Sequence, residues 1–123
     1  MSGRATVEAL IATLNAGDVD GMDDVFHEDA VMDWPQSGER IVGRQACLTV
    51  YHNYPGGPPR YELRRVTGGP DIFTVEAVGD YSGQKVYMTS IVEFRNGKIA
   101  KQTDYFADAF EAPAWRSQWV EHA

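Results

Sequence analysis

Hydrophobic positions recur with two different periods along this chain, and the change from one to the other divides it near residue 60. In the first part, Val7, Leu10, Ile11 and Leu14 fall at i, i+3, i+4 and i+7, one face of an amphipathic helix over residues 6–14. Asn15-Ala16-Gly17 stops it. Gly17 suits the left-handed cap position, and Asp18 can cap a second short helix running to about Phe26 on the stripe Val19, Met22, Val25 and Phe26. Residues 30–35 alternate as a short strand ended by Pro35 and Ser37-Gly38. Residues 44–54 then place Ala46, Cys47, Val50, Tyr51 and Tyr54 on one face of a third helix, which the Pro/Gly run at 55–59 terminates.

Beyond this point the period is two. Residues 61–67, 72–81, 85–94 and 98–106 are long runs rich in β-branched and aromatic side chains, separated by Gly68-Gly69-Pro70, Ser82-Gly83 and Asn96-Gly97. Asn-Gly between two such runs is a strong hairpin signal, so four consecutive antiparallel strands are predicted. Strands of this length twist and curl, and a meander cannot bury its concave face alone. The expected architecture is α+β: a cone-shaped, curved antiparallel sheet covered by three N-terminal helices, enclosing one apolar pocket. Trp115 and Trp119, at i and i+4 behind Pro113, predict a short C-terminal helix whose aromatic pair covers the cone or meets a second subunit. One domain over residues 1–123 accounts for the whole length.

Composition narrows what the chain can do. An apolar fraction of 43% and a charged fraction of 24% are ordinary for a globular domain. The formal net charge of -7, with three lysines and Arg64-Arg65 as the sole adjacent basic pair, argues against a nucleic-acid partner, because neutralising phosphates needs clustered cations. No stretch approaches the ~20 apolar residues of a membrane span, and the N-terminus lacks an apolar signal core. The expectation is therefore no membrane partner and a cytoplasmic location. Cys47 stands alone, which excludes an intrachain disulfide and suits a buried structural thiol. No His or Cys pair has metal-ligand spacing and no glycine-rich phosphate loop follows a strand, so neither metal nor cofactor is expected.

The order helix, helix, strand, helix and four long strands resembles the nuclear transport factor 2-like superfamily, in its SnoaL-like (polyketide cyclase-like) branch. The residues that carry the likeness are Leu14-Asn15-Ala16-Gly17-Asp18 at the first corner, His27-Glu28-Asp29-Ala30 entering the first strand, and Gly43-Arg44 opening the third helix. Asn96-Gly97-Lys98-Ile99 and Asp104-Tyr105-Phe106 complete it in the last hairpin. The superfamily hosts isomerases, epoxide hydrolases, dehydratases, cyclases and non-catalytic binders, so the likeness implies a fold more than an activity.

Three activities of that scaffold require side chains this sequence lacks. The base and oxyanion positions of a ketosteroid isomerase fall on Trp34, Leu10 and Val92. Asp33, one residue from the base position, should point to the opposite face of its strand if Trp34 points inward. Of the relay in a limonene epoxide hydrolase, Asp104 matches the last-strand acid, but the other positions fall on Ala77 and Gly79 and the water-holding pair on Met32 and Trp34. The paired pocket histidines of a scytalone dehydratase have no counterpart in His27, His52 and His122. A SnoaL-type cyclase asks less: one acid/base carboxylate and a shaped apolar cavity.

Asp104 is the candidate for that carboxylate. Alternation places it on the face of Ala100, Gln102 and Phe106, with Lys101, Thr103 and Tyr105 opposite. Desolvation among apolar neighbours would raise its pKa toward what proton transfer near neutrality needs. The predicted lining is Met32, Trp34, Phe73, Val75, Met88, Ser90, Val92, Phe94 and Gln102 on the strands, with Tyr51 and Tyr54 closing the mouth. It suits a hydrophobic small molecule; the same residues also suit a filled core. His52, beside the two tyrosines, is a candidate proton carrier or a solvent-facing residue. The outward residues Tyr87, Thr89, Ile91, Thr103 and Tyr105 suit a homodimer through the outer sheet face. The expected function is acid/base cyclisation or isomerisation of a hydrophobic, polyketide-like carbonyl compound, the alternative being a non-catalytic ligand-binding or assembly domain.

Overall fold

The computed structural model describes residues 3–123. In chain order its elements are α1 (Gly3–Asn15), a 3₁₀ turn (Asp20–Met22), β1 (Phe26–Trp34), β2 (Glu39–Val42) and α2 (Arg44–His52). There follow β3 (Arg60–Gly68), β4 (Ile72–Tyr81), β5 (Gln84–Arg95), β6 (Lys98–Asp108) and a 3₁₀ helix (Ala114–Trp119). The four strands after residue 60 form the meander their period-2 pattern predicts. Asn96 and Gly97 turn β5 into β6 with φ of 50° and 79°, the left-handed pair that a tight hairpin requires.

The fold is α+β, with a single curved, unclosed sheet of six strands in the order β2-β1-β6-β5-β4-β3. It is mixed rather than antiparallel, because β1 lies parallel to β6, with Met32 opposite Gln102 and Asp33 opposite Thr103. Hairpin signals describe only strands adjacent in sequence; a parallel pair needs a long crossover, here α2 and the meander, which no local pattern encodes. The edge strand β2 also departs from expectation. It folds back on β1 through Pro35–Gly38, and its four residues, two charged and then two apolar, carry no alternation to betray it.

The predicted second helix shrinks to the turn Asp20–Met22, so among the described residues two α-helices, not three, accompany the sheet. Val19 and Met22 are buried as expected. Phe26, however, is buried as the first residue of β1, and the Ile99 amide bonds to the Val25 carbonyl at 2.9 Å, so strand pairing overrides the local helical stripe. The C-terminal element is a 3₁₀ helix with no buried residue, so of the two expected roles for Trp115 and Trp119 the covering of the cone is not seen.

One face of the sheet is the core face. Phe73, Val75 and Ala77 of β4 and Val86, Met88 and Val92 of β5 are buried there, and α1 contributes Val7, Leu10, Ile11 and Leu14. From α2 come Cys47, Leu48 and Tyr51. On β6 the alternation slips: Glu93 pairs with Lys101 but Phe94 with Ile99, so Ala100 is bulged. Ile99, not Ala100, therefore shares the inner face with Gln102 and Asp104.

Candidate functional site

Asp104 lies in β6 opposite Ser90 of β5 and one register step beyond the Asp33–Thr103 pair, which brings Trp34 of β1 alongside it. Its carboxylate is 2% exposed. The Trp34 indole N–H donates to Oδ2 at 3.0 Å, the Ser90 hydroxyl donates to Oδ1, and the Gln102 amide donates to Oδ1 and Oδ2 at 3.0 and 3.2 Å. Three strand residues thus converge on one carboxyl group. Burial drives its pKa above the ordinary carboxylate value, and the hydrogen bonds from Ser90, Gln102 and Trp34, which favour the charged form, offset this only in part.

Phenols surround this group. Tyr51 is wholly buried, and its hydroxyl points at the Met32 sulfur, 3.8 Å away. Rings follow in a chain with centroid separations of 6.0 Å for Tyr51–Tyr54, 5.8 Å for Tyr54–Tyr81, 6.4 Å for Tyr81–Phe106 and 5.9 Å for Phe106–Trp34. Tyr61 joins through Tyr81, ring against ring and hydroxyl to hydroxyl. Desolvation, reinforced by the Asp104 charge, pushes Tyr81 up to about 12 and Tyr54 and Tyr51 higher still. These hydroxyls therefore remain protonated donors at neutral pH. Gly79 makes room for two of the rings: a Cβ there would lie 2.5 Å from Tyr81 Cε1 and 2.9 Å from Tyr61 Cε1.

Two spaces adjoin the cluster. Inside, a cavity of about 20 Å³ lies among Leu10, Tyr51, Tyr61, Met88, Ser90 and Gln102, room for about one water molecule. Gln102 Oε1 is buried without a hydrogen-bond partner. At the mouth, an open groove of about 350 Å³ is lined by Trp34, Tyr54, Tyr81, Gln84, Val86, Phe106 and Asp108, a volume in the range of small-molecule sites.

The predicted site residues divide accordingly. Trp34, Ser90 and Gln102 meet Asp104; Tyr51, Met88 and Val92 line the inner cavity; Trp34 and Tyr54 line the mouth. Met32 is core beneath Tyr51, and Tyr54 lies past the end of α2. Phe73 is away from the site, stacked edge-on against Phe94 at 5.6 Å. Asp33 faces the other side, gripped by Arg40 at 2.7 and 3.0 Å. His52 is exposed and bonded to Asp20 at 2.8 Å, away from the mouth. Tyr61 and Tyr81 belong to the site in addition to the lining the sequence predicts, and the inward alternation Phe73, Val75, Ala77, Gly79 reaches Tyr81 if carried one step further.

Residues 7–102 match the family model of the SnoaL-like domain. Among solved structures, an NTF-2 like protein of unknown function from Burkholderia xenovorans LB400 is 43% identical, with 98% of this chain and 94% of that one covered and a TM-score of 0.88. A protein from Kribbella flavida DSM 17836, provisionally named a ketosteroid isomerase, is 25% identical over 98% of this chain and 88% of that one, with a TM-score of 0.86. IdmH from Streptomyces antibioticus, provisionally named a polyketide cyclase, shares the fold at 14% identity, 84% and 90% coverage and a TM-score of 0.68.

Proposed function

This chain belongs to the SnoaL-like domain family, and from that premise we propose that it is a cofactor-independent small-molecule enzyme. In this reading Asp104 moves a proton during cyclisation or isomerisation of a hydrophobic carbonyl compound. The observation that carries the proposal is the buried Asp104 carboxyl group, raised in pKa and tied through Trp34 to the wall of an aromatic groove. A carboxylate held this way is a stronger base than an exposed one.

The ligand sits in the groove, its apolar body against Trp34, Tyr54, Tyr81 and Phe106. Trp34 and Tyr54 are half-buried, and their displacement opens the way to the carboxyl. Asp104 then takes a proton from the carbon next to the carbonyl and returns it at a second position; in a cyclisation the carbanion instead attacks a second carbonyl carbon of the same molecule, whose C=O π bond opens to an alkoxide that takes the proton back from Asp104. The tyrosine hydroxyls, still protonated, supply hydrogen bonds to the developing oxyanion. Two copies associate through the outer sheet face, where Ile72, Tyr87 and Tyr105 are exposed.

One observation favours a second reading, a non-catalytic ligand-binding domain. The interior next to Asp104 is filled to within about 20 Å³, and both carboxylate oxygens already have donors. Turnover assays over hydrophobic ketones and ring-forming polyketide analogues, run beside equilibrium binding of the same compounds, separate the two. Turnover lost in Asp104→Asn with binding retained supports the enzyme. Binding without turnover in the wild type supports the second reading.

A further inference from the structure

Phe110, Trp115 and Trp119 are 80, 73 and 72% exposed. They belong to an arm that leaves β6 after Asp108 and ends in the 3₁₀ helix Ala114–Trp119. So short a helix has little stability of its own in water, and three large aromatic side chains are more apolar surface than a soluble chain leaves bare without use.

The mouth groove begins where the arm is rooted. Its walls are Trp34, Tyr54, Tyr81, Val86 and Phe106, and Asp108 brings a carboxylate to its edge. The arm supplies the complement: two exposed indoles and Arg116, whose guanidinium lies 5.7 Å from the Trp115 ring centre. An aromatic arm that carries a cation thus matches an aromatic groove with an anionic rim. The chain's own arm does not bury its indoles against its own groove, since both remain in solvent and the groove stays open.

We infer that the arm of one copy of this chain seats in the mouth groove of a second copy, with Arg116 facing Asp108, and that the exchange is reciprocal. Two arms in two grooves form a closed two-fold arrangement. Each of the six aromatic side chains can bury ~150–250 Å². That alone supplies on the order of the 1,200–2,000 Å² expected of a stable interface. The ligand site is then composite, roofed by the second copy. This last consequence rests on the groove being the ligand site; the docking itself does not.

The test uses full-length Asp108→Cys and Arg116→Cys variants, mixed and gently oxidised. Cys47 does not interfere, because it is buried and its thiol is pushed up to about 11. The expected result is a covalent dimer in the mixture and much less from either variant alone. A chain carrying both substitutions should likewise give a covalent dimer. An internally bonded monomer from the double variant, or no bond specific to the mixture, overturns the inference. Neither result depends on turnover, so failure here leaves the role of Asp104 standing and failure of that role leaves the arm exchange standing.

Discussion

Trp34 Nε1 and Asp104 Oδ2 are 3.0 Å apart although 70 residues separate them in sequence. The bond joins β1 to β6 and links the buried carboxyl to an aromatic side chain that also walls the mouth groove. A ligand that displaces Trp34 therefore removes a donor from Asp104 at the same moment. With that donor gone, the charged form loses support and the carboxyl becomes a stronger base.

Trp34→Phe keeps an aromatic side chain of smaller size and deletes the N–H. The pH at half-maximal turnover should move upward, because a hydrogen bond that lowers the Asp104 pKa is lost. Stability should fall by about 1–3 kcal/mol, the usual cost of removing a partner from a buried polar group. Ser90→Ala should shift the profile in the same direction. The pH–rate profile together with urea denaturation checks both.

Asp104→Asn should abolish the proton transfer, with a fall in kcat of about 10²–10⁴-fold and little change in ligand affinity. Its effect on stability has a definite sign. The folded-state pKa lies above the ordinary 3.8, so the protonated carboxyl is the form that folding prefers. That contribution is complete below pH 3.8 and is lost as pH rises through the folded-state pKa. The melting temperature of the Asn variant, measured relative to wild type, should therefore increase with pH over this window and then level off.

Gly79→Ala should disturb the mouth without touching Asp104. The added methyl meets the rings of Tyr81 and Tyr61 at 2.5 and 2.9 Å. Forcing them apart should cost about 1–3 kcal/mol and weaken ligand binding, read as a raised KM. Melting curves and steady-state kinetics check it.

Charge on the outer sheet face should weaken the association of two copies proposed there. Tyr87 and Tyr105 are exposed there, on strands paired through Tyr87–Ala107 and Thr89–Tyr105. Tyr87→Glu combined with Tyr105→Glu should lower the sedimentation coefficient with unchanged far-UV circular dichroism, while the cross-link between Asp108→Cys and Arg116→Cys chains persists.

Much of this arrangement was legible because it is local. Asn96-Gly97 marks one hairpin, and alternation along β4 and β5 sorts inner from outer residues without reference to any distant segment. The inward turn of Asp104 follows from the same alternation. What was not legible depends on pairings far apart in sequence. The parallel register of β1 on β6 brings Trp34 to Asp104, and it converts Phe26 from a helical residue into a strand residue. The bulge at Ala100 is equally silent, since it is set by how Phe94 and Ile99 fit the core. Tyr61 and Tyr81 meet only after β3 and β4 pair, with Gly79 between them.

The central claim is that Asp104 is a carboxyl group whose proton is held more tightly than usual while it remains wired to the mouth. Carbon-13 NMR of the Asp side-chain carboxyls, with Asp104→Asn to assign the resonance, measures this directly. The account predicts a midpoint above the ordinary 3.8, moved further upward in Trp34→Phe. A carboxyl that titrates at or below 3.8, or that ignores the loss of the indole N–H, would contradict it.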